Sequence, residues 1–251
     1  MGRLDGRTAL VTGAGAGIGL AIARRFAAED AQVFVADLNG AAAKAAAKEI
    51  ADAGKKAAAL TADITRASDV AAMFAAIEKA AGRLDVLVNN AGINVRSDFR
   101  HLEDGDWEKI RAVNLDGAMR VARDGFALLK ASGRGSLINL SSIMAHRGLR
   151  QLAAYSATKG AISALTRVLA VEYAPFAVRV NALAPGFIET AMTERVLRNP
   201  AIAKALSDQT PLRRFGTGED VAAAALFFAS DDSAFITGAE LAVDGGMAAG
   251  L

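Results

Sequence analysis

Tyr155 and Lys159 lie four residues apart, with Ser142 thirteen residues upstream of the tyrosine. The stretch AAYSATKGAISALTRVLAVEY around them reads as a long helix. Residues i and i+4 of a helix share a face, so the phenol and the ammonium point into the same space. A free tyrosine titrates near ~10, too high for proton transfer at neutral pH. Lowering it to about 7 takes roughly 4 kcal/mol, which one close cation at an effective dielectric of ~20 can supply. The spacing Y-x-x-x-K alone is common by chance. Its meaning comes from the segments that precede it.

The first of these is a glycine loop, Thr12-Gly13-Ala14-Gly15-Ala16-Gly17-Ile18-Gly19, which leaves an apolar strand and enters a helix. It is not G-x-G-x-x-G, because Ile18 stands at the third glycine; the pattern is T-G-x-x-x-G-x-G, fixed at Gly13, Gly17 and Gly19. Glycines there let the backbone turn tightly, approach a pyrophosphate and aim helix-start N–H groups at it. Asp37 ends the second strand, twenty residues beyond Gly17, where a carboxylate can bind an adenosine ribose diol. A 2′-phosphate would be repelled there, and Ala14, Gly15, Ala16 and Leu38 offer no positive charge against it, which favours NAD over NADP. Asp63, with Ile64 beside it, ends the third strand as a candidate contact to the adenine edge. Asn89-Asn90-Ala91-Gly92 ends the fourth, so Asn90 and Gly92 can pass close to a cofactor, although an Asn pair also satisfies turn backbone.

Elements must hold these groups in place. Apolar runs of strand type (TALVTG, QVFVADL, AAALTAD, LDVLVNNAG, GSLINLSS, VRVNALAPG, AELAVDGG) alternate with Ala-rich helical stretches. The helices are predicted over Ile18 to Glu29, Ala41 to Ala53, Ser68 to Ala81, Asp106 to Lys130, Leu152 to Tyr173, Thr190 to Ser207 and Gly218 to Ala229. Near-continuous apolar strands are expected where both sheet faces are covered. Strand–helix–strand repetition implies right-handed crossovers and a parallel sheet. The expected fold is a doubly wound α/β domain over residues 1–251, with ligands at the C-terminal strand ends where strand order reverses.

Composition narrows the chemistry further. The chain has 251 residues, 53% of them apolar, a net charge of +2 and no cysteine. Its basic residues are scattered, which argues against nucleic acid as the partner. Disulfides, thiolate metal sites and cysteine nucleophiles are excluded, and two histidines, His101 and His146, make a histidine zinc site implausible. The N-terminus lacks the features of a secretory signal, and the apolar run VAAAALFFA is far short of the ~20 residues that span a bilayer. No membrane association and a cytoplasmic location are expected.

TGAGAGIG, Asp63, NNAG, Asn114 in VNLDG, Ser142, Tyr155-x-x-x-Lys159 and Pro185-Gly186 occur in order along the chain. In this conjunction the sequence resembles the short-chain dehydrogenase/reductase family over nearly its whole length. The resemblance implies a single Rossmann-like domain of about seven parallel strands in three α/β/α layers, and a homotetramer. It implies Tyr155 as general acid/base, Ser142 as the hydrogen-bond partner of the substrate oxygen, and Lys159 as the group that binds the nicotinamide ribose and lowers the Tyr155 pKa. Asn114 would hold a water linking Lys159 to solvent, and Pro185, Gly186, Ile188 and Thr190 would lie by the nicotinamide. The reaction implied is NAD-dependent interconversion of a secondary alcohol and a ketone, without metal.

The substrate is expected among INVRSDF, IMAHRGLRQLAA and FIETAMTERVLRNP, three stretches that follow or separate these motifs. Ile93, Met144, Leu149, Leu152, Phe187 and Met192 could line an apolar pocket, while Arg96, Arg147 and above all Arg150 could capture an acid group. The substrate candidates are therefore Ser142, Met144, Arg150, Leu152, Tyr155 and Phe187. PGFIETAMT, PLRRFG and FITGAELAVDGGM look like 3-oxoacyl-carrier-protein reductases. NNAGINVRSDF looks more like sugar, polyol and sugar-acid dehydrogenases. A sugar-like, cyclic or hydroxy-acid alcohol is the favoured substrate, with 3-oxoacyl thioester reduction as the alternative. A non-catalytic dinucleotide-binding sensor or scaffold is the alternative of another class, disfavoured because Ser142, Tyr155 and Lys159 are all present.

Overall fold

Alternate residues of each strand go to opposite faces, and this chain makes both faces apolar. Ala9, Val11, Val33, Val35, Val86, Val88, Ile138 and Leu140 join one buried cluster. Leu10, Phe34, Ala36, Leu87 and Leu137, interleaved with them, join a second on the other side. A sheet of this kind needs helices on both faces. The computed structural model, which describes residues 2–250 without the side chains of residues 195–197, supplies them.

Seven parallel strands run β1 (Thr8–Thr12), β2 (Gln32–Asp37), β3 (Ala57–Thr61), β4 (Val86–Asn89), β5 (Gly135–Leu140), β6 (Val178–Pro185) and β7 (Glu240–Val243). Their order in the sheet is β3-β2-β1-β4-β5-β6-β7. Helices α1 (Gly17–Ala28), α2 (Gly40–Asp52) and α10 (Gly218–Ala229) cover the first cluster. Helices α3 (Ala67–Ala81), α5 (Ala118–Asp124), α6 (Phe126–Ser132) and α7 (Ala153–Tyr173) cover the second. The result is the expected three-layer, Rossmann-like α/β/α fold. Strand order reverses between β1 and β4, so a crevice opens at their C-terminal ends.

Most predicted helices end within two residues of their observed limits. Two do not. The stretch Asp106 to Lys130 is not one helix: α4 (Asp104–Arg111) passes into a π-helical turn at Ala112–Gly117, then α5, then α6. The second break falls at Gly125, where a Cβ would meet the Phe74 ring at 2.8 Å and Leu87 at 3.0 Å. The stretch Thr190 to Ser207 is likewise two helices, α8 (Ala191–Leu197) and α9 (Pro200–Asp208). Asn199 caps α9 by accepting from Ala201 and Ile202 N–H, and Pro200 starts it, so the preceding helix cannot run through. Among the described residues no helix is long and apolar enough to cross a membrane, and no group of three or more potential ligands is placed to hold a metal.

Candidate active site

The glycine loop is shaped by contact as much as by turn geometry. Gly13 has φ +62° and Gly17 φ +57°. A Cβ on Gly13 would lie 2.7 Å from the Ala91 Cα, and one on Gly19 would lie 2.4 Å from the Gly13 carbonyl oxygen. Asn90 holds the loop from the next strand, its Nδ2 donating to the carbonyls of Thr12 at 2.9 Å and Gly13 at 3.0 Å. Thr12 Oγ1 accepts from the Asn90 and Ala91 N–H groups. α1 then starts at Ala16 with no side-chain cap and no acidic residue in its first turn. Its first N–H groups are left for an outside acceptor, the arrangement an anion such as a pyrophosphate fits.

The loop is one wall of a cleft of about 480 Å³. Gly13, Gly17, Ile18 and Gly19 line it from this side; Asp37 and Leu38 line it from the end of β2, and Asp63 and Ile64 from the end of β3. Asn90 and Gly92 follow β4, and Pro185, Gly186, Ile188 and Thr190 follow β6. Asp37 Oδ2 accepts from the Gly15 N–H and Oδ1 from the Asn39 N–H, each at 2.9 Å, which fixes the carboxylate at the cleft rim. The residues expected to meet a dinucleotide thus share one concavity.

Ser142, Tyr155 and Lys159 line the same cleft. Lys159 lies on the buried stripe of α7 with Thr158, Ile162 and Ser163 and is 5% exposed. Its Nζ donates to the Leu140 carbonyl at 2.6 Å and stands 5.7 Å from the centre of the Tyr155 ring. Desolvation lowers the Lys159 pKa from 10.5 to about 8. Ser142 Oγ accepts the Met144 N–H at 3.2 Å, starting a short 3₁₀ turn at Ile143–Ala145. Its own hydrogen remains to donate.

The expected acidification of Tyr155 by Lys159 is not what the structure displays. Burial pushes the phenol up, and the Ser142 hydroxyl, not the ammonium, pulls against that rise. The ammonium sits over the ring face and gives one hydrogen to a backbone carbonyl, and it is not among the groups that move the phenol.

Asn114 stands where the chain between α4 and α5 is wound as a π-helix. It is 1% exposed in the π-helical turn. Its side-chain amide clasps the Ile93 backbone, accepting from N–H at 2.8 Å and donating to the carbonyl at 2.9 Å. The amide therefore fixes the segment after NNAG.

Of the substrate candidates, only Ser142 and Tyr155 line the cleft. Leu152 is 4% exposed at the start of α7. Met144 and Phe187 turn into a small apolar cluster with Ile143, Leu206 and Met247. Arg150 is exposed and close enough to Asp98 to lower that carboxyl's pKa. Arg147 is bonded to the Met247 carbonyl. The lining residues that no motif singled out include Ala36, Ala62, Leu140, Ser141, Ala191 and Thr193. Their lining roles come from strand ends and turns, and no residue-type signal marks them.

Residues 13–248 match the family profile described as enoyl-(acyl carrier protein) reductase. Galactitol 2-dehydrogenase (L-tagatose-forming) of Cereibacter sphaeroides is 43% identical over 97% of this chain and 96% of its own. Cyclopentanol dehydrogenase of Comamonas testosteroni is 36% identical over 99% of this chain and 100% of its own. A gluconate 5-dehydrogenase from Burkholderia cenocepacia J2315, solved with NADP and tartrate, superposes with a TM-score of 0.96 at 36% identity, covering 99% of this chain and 98% of that one. The chain belongs to the short-chain dehydrogenase/reductase family, whose dehydrogenases bind a nicotinamide dinucleotide and act on CH–OH groups.

Proposed function

We propose that this chain interconverts a secondary alcohol and its ketone with NAD(H), using Tyr155 as the general acid/base. The observation that carries the reading is the meeting of Ser142, Tyr155 and Lys159 with the glycine loop and Asp37 in one cleft. A dinucleotide seated there supplies the hydride acceptor or donor. In oxidation the Tyr155 phenolate takes the alcohol proton; in reduction the phenol returns it. Ser142 donates its hydrogen to the substrate oxygen and stabilises the charge that develops there. Lys159 keeps N–H donors beyond the one given to Leu140, with which to bind the nicotinamide ribose. Asn114 positions Ile93 and with it one cleft wall.

NAD is favoured over NADP because the Asp37 carboxylate occupies the rim where a 2′-phosphate would sit. The solved relative with NADP makes this a point to measure. Asp37→Ala should erode the NAD preference in kcat/KM; unchanged selectivity would remove Asp37 from the ribose. A polyol or cyclic alcohol is the substrate class supported by the 43% and 36% identical relatives, with hydroxy acids next. Residues 1–251 act as one catalytic domain, assembled as a homotetramer.

The test is a screen of galactitol, cyclopentanol and gluconate with NAD, following NADH absorbance. Tyr155→Phe should lower kcat about 10²- to 10⁴-fold while keeping NADH affinity. Wild-type turnover in that variant would remove Tyr155 from the chemistry, NADH binding with no turnover on any alcohol would favour a sensor or scaffold, and activity confined to acyl thioesters with NADPH would favour a 3-oxoacyl reductase.

A further inference from the structure

Behind the cleft, four side chains from three elements form a hydrogen-bonded chain that the proposed reaction does not use. Glu240, first residue of β7, is 17% exposed at its side chain. Its Oε1 lies 2.8 Å from Ser163 Oγ, and Ser163 Oγ lies 2.8 Å from Ser141 Oγ. Its Oε2 lies 3.0 Å from His146 Nε2. Ser141 and Ser163 are each 2% exposed, so their hydroxyls have no solvent to turn to.

The carboxylate can only accept, so it orders the hydrogens of the groups around it; Ser141 keeps a second acceptor, the Lys159 carbonyl at 3.3 Å. Ser163 could donate to Glu240 or to the Lys159 carbonyl at 3.2 Å. The charged acceptor at 2.8 Å makes the stronger bond. Ser163 then has a lone pair free to accept from Ser141. On the other oxygen, His146 Nε2 must carry its hydrogen.

What this holds is Ser142. Ser141 precedes it directly and is tied through its N–H to the Leu183 carbonyl at 2.8 Å. His146 closes the turn that Ser142 opens, donating its backbone N–H to Ile143 at 3.1 Å. Ser163 stands one helical turn after Lys159 on the same buried stripe. We propose that Glu240 is a positioning residue for the reaction: one carboxylate holds the side chains on both sides of Ser142, His146 directly and Ser141 through Ser163, and ties them to the α7 face that carries Lys159. This rests on the reaction proposed above and extends it to a residue that touches neither substrate nor cofactor.

Glu240→Val suits a strand but offers Ser163 and His146 no acceptor. It should lower kcat about tenfold to a hundredfold, the scale on which small misplacements act, while KM for NAD stays within about twofold. Glu240→Gln keeps an acceptor for Ser163 and gives His146, in its other tautomer, a donor, so kcat should recover to within about threefold. A folded Glu240→Val enzyme with wild-type kcat, or a Glu240→Gln enzyme as impaired as Glu240→Val, overturns the proposal. If Glu240→Val does not fold, Ser163→Ala decides: a fall in kcat at unchanged KM for NAD supports the chain, and wild-type kcat overturns it. A wild-type protein inactive on every alcohol would instead overturn the reaction and the positioning role together.

Discussion

Lys159 carries an ammonium into a place where its side chain is almost wholly covered, and that has two measurable results. Its pKa falls from 10.5 to about 8 through desolvation, equivalent to about 3 kcal/mol against the charged form. Between pH 8 and the ordinary lysine range the unfolded chain holds more protons than the folded one, so native stability should rise with pH across that window. Below pH 8 both states are protonated and the full cost is present. Lys159→Met should therefore raise the melting temperature at pH 7, by up to about 3 kcal/mol of stability, while turnover is lost; thermal melts and assays of the same preparation check both. Tyr155 is pushed the opposite way, upward by burial. Ketone reduction, which needs the protonated phenol, should be flat through neutral pH, and alcohol oxidation should climb toward alkaline pH. A pH–rate profile in each direction measures this. The residue types and the i, i+4 spacing announced the pair, but the direction of the phenol shift did not follow, because burial is summed over side chains from many separate segments.

Helices and strands place these residues, and the glycine loop places the cofactor. Gly19→Ala would set a methyl group 2.4 Å from the Gly13 carbonyl and 2.5 Å from Asn90 Nδ2. The loop would have to move, so NADH affinity should weaken at least about tenfold, or about 1.4 kcal/mol, with the circular dichroism spectrum kept. Titration by NADH fluorescence reads it. Much at this scale was legible: strand alternation, helical period and glycine spacing are local, and each named an element within a residue or two. The interruption of the Asp106 to Lys130 stretch was not: at Gly125 the backbone lies so close to Phe74 and Leu87, from other elements, that a Cβ would collide with them. Met144 and Phe187 were read toward the substrate for a similar reason. Their turn into a cluster with Leu206 and Met247 joins segments that lie far apart in the chain.

At the scale of the whole molecule, large apolar side chains remain on the outside. Val168 is 52% and Val171 76% exposed on α7, Leu241 is 40% exposed on the edge strand β7, and Phe235 is fully exposed. In the homotetramer proposed above such residues would meet other copies, so Val171→Glu should shift the light-scattering mass from four chains to fewer. The sheet order has a further effect on how the molecule comes together. β1 and β4 pair in parallel as Ala9 with Val86 and Val11 with Val88, partners 77 positions apart. Contacts between such distant segments form slowly, and until they form the crevice between the two strands does not exist. A dinucleotide is thus a ligand of the folded chain alone and shifts the unfolding equilibrium by mass action, by about 2.7 kcal/mol at a hundredfold excess over its Kd. Melting curves recorded with NAD and with NADP would then rank the two nucleotides before any alcohol has been found.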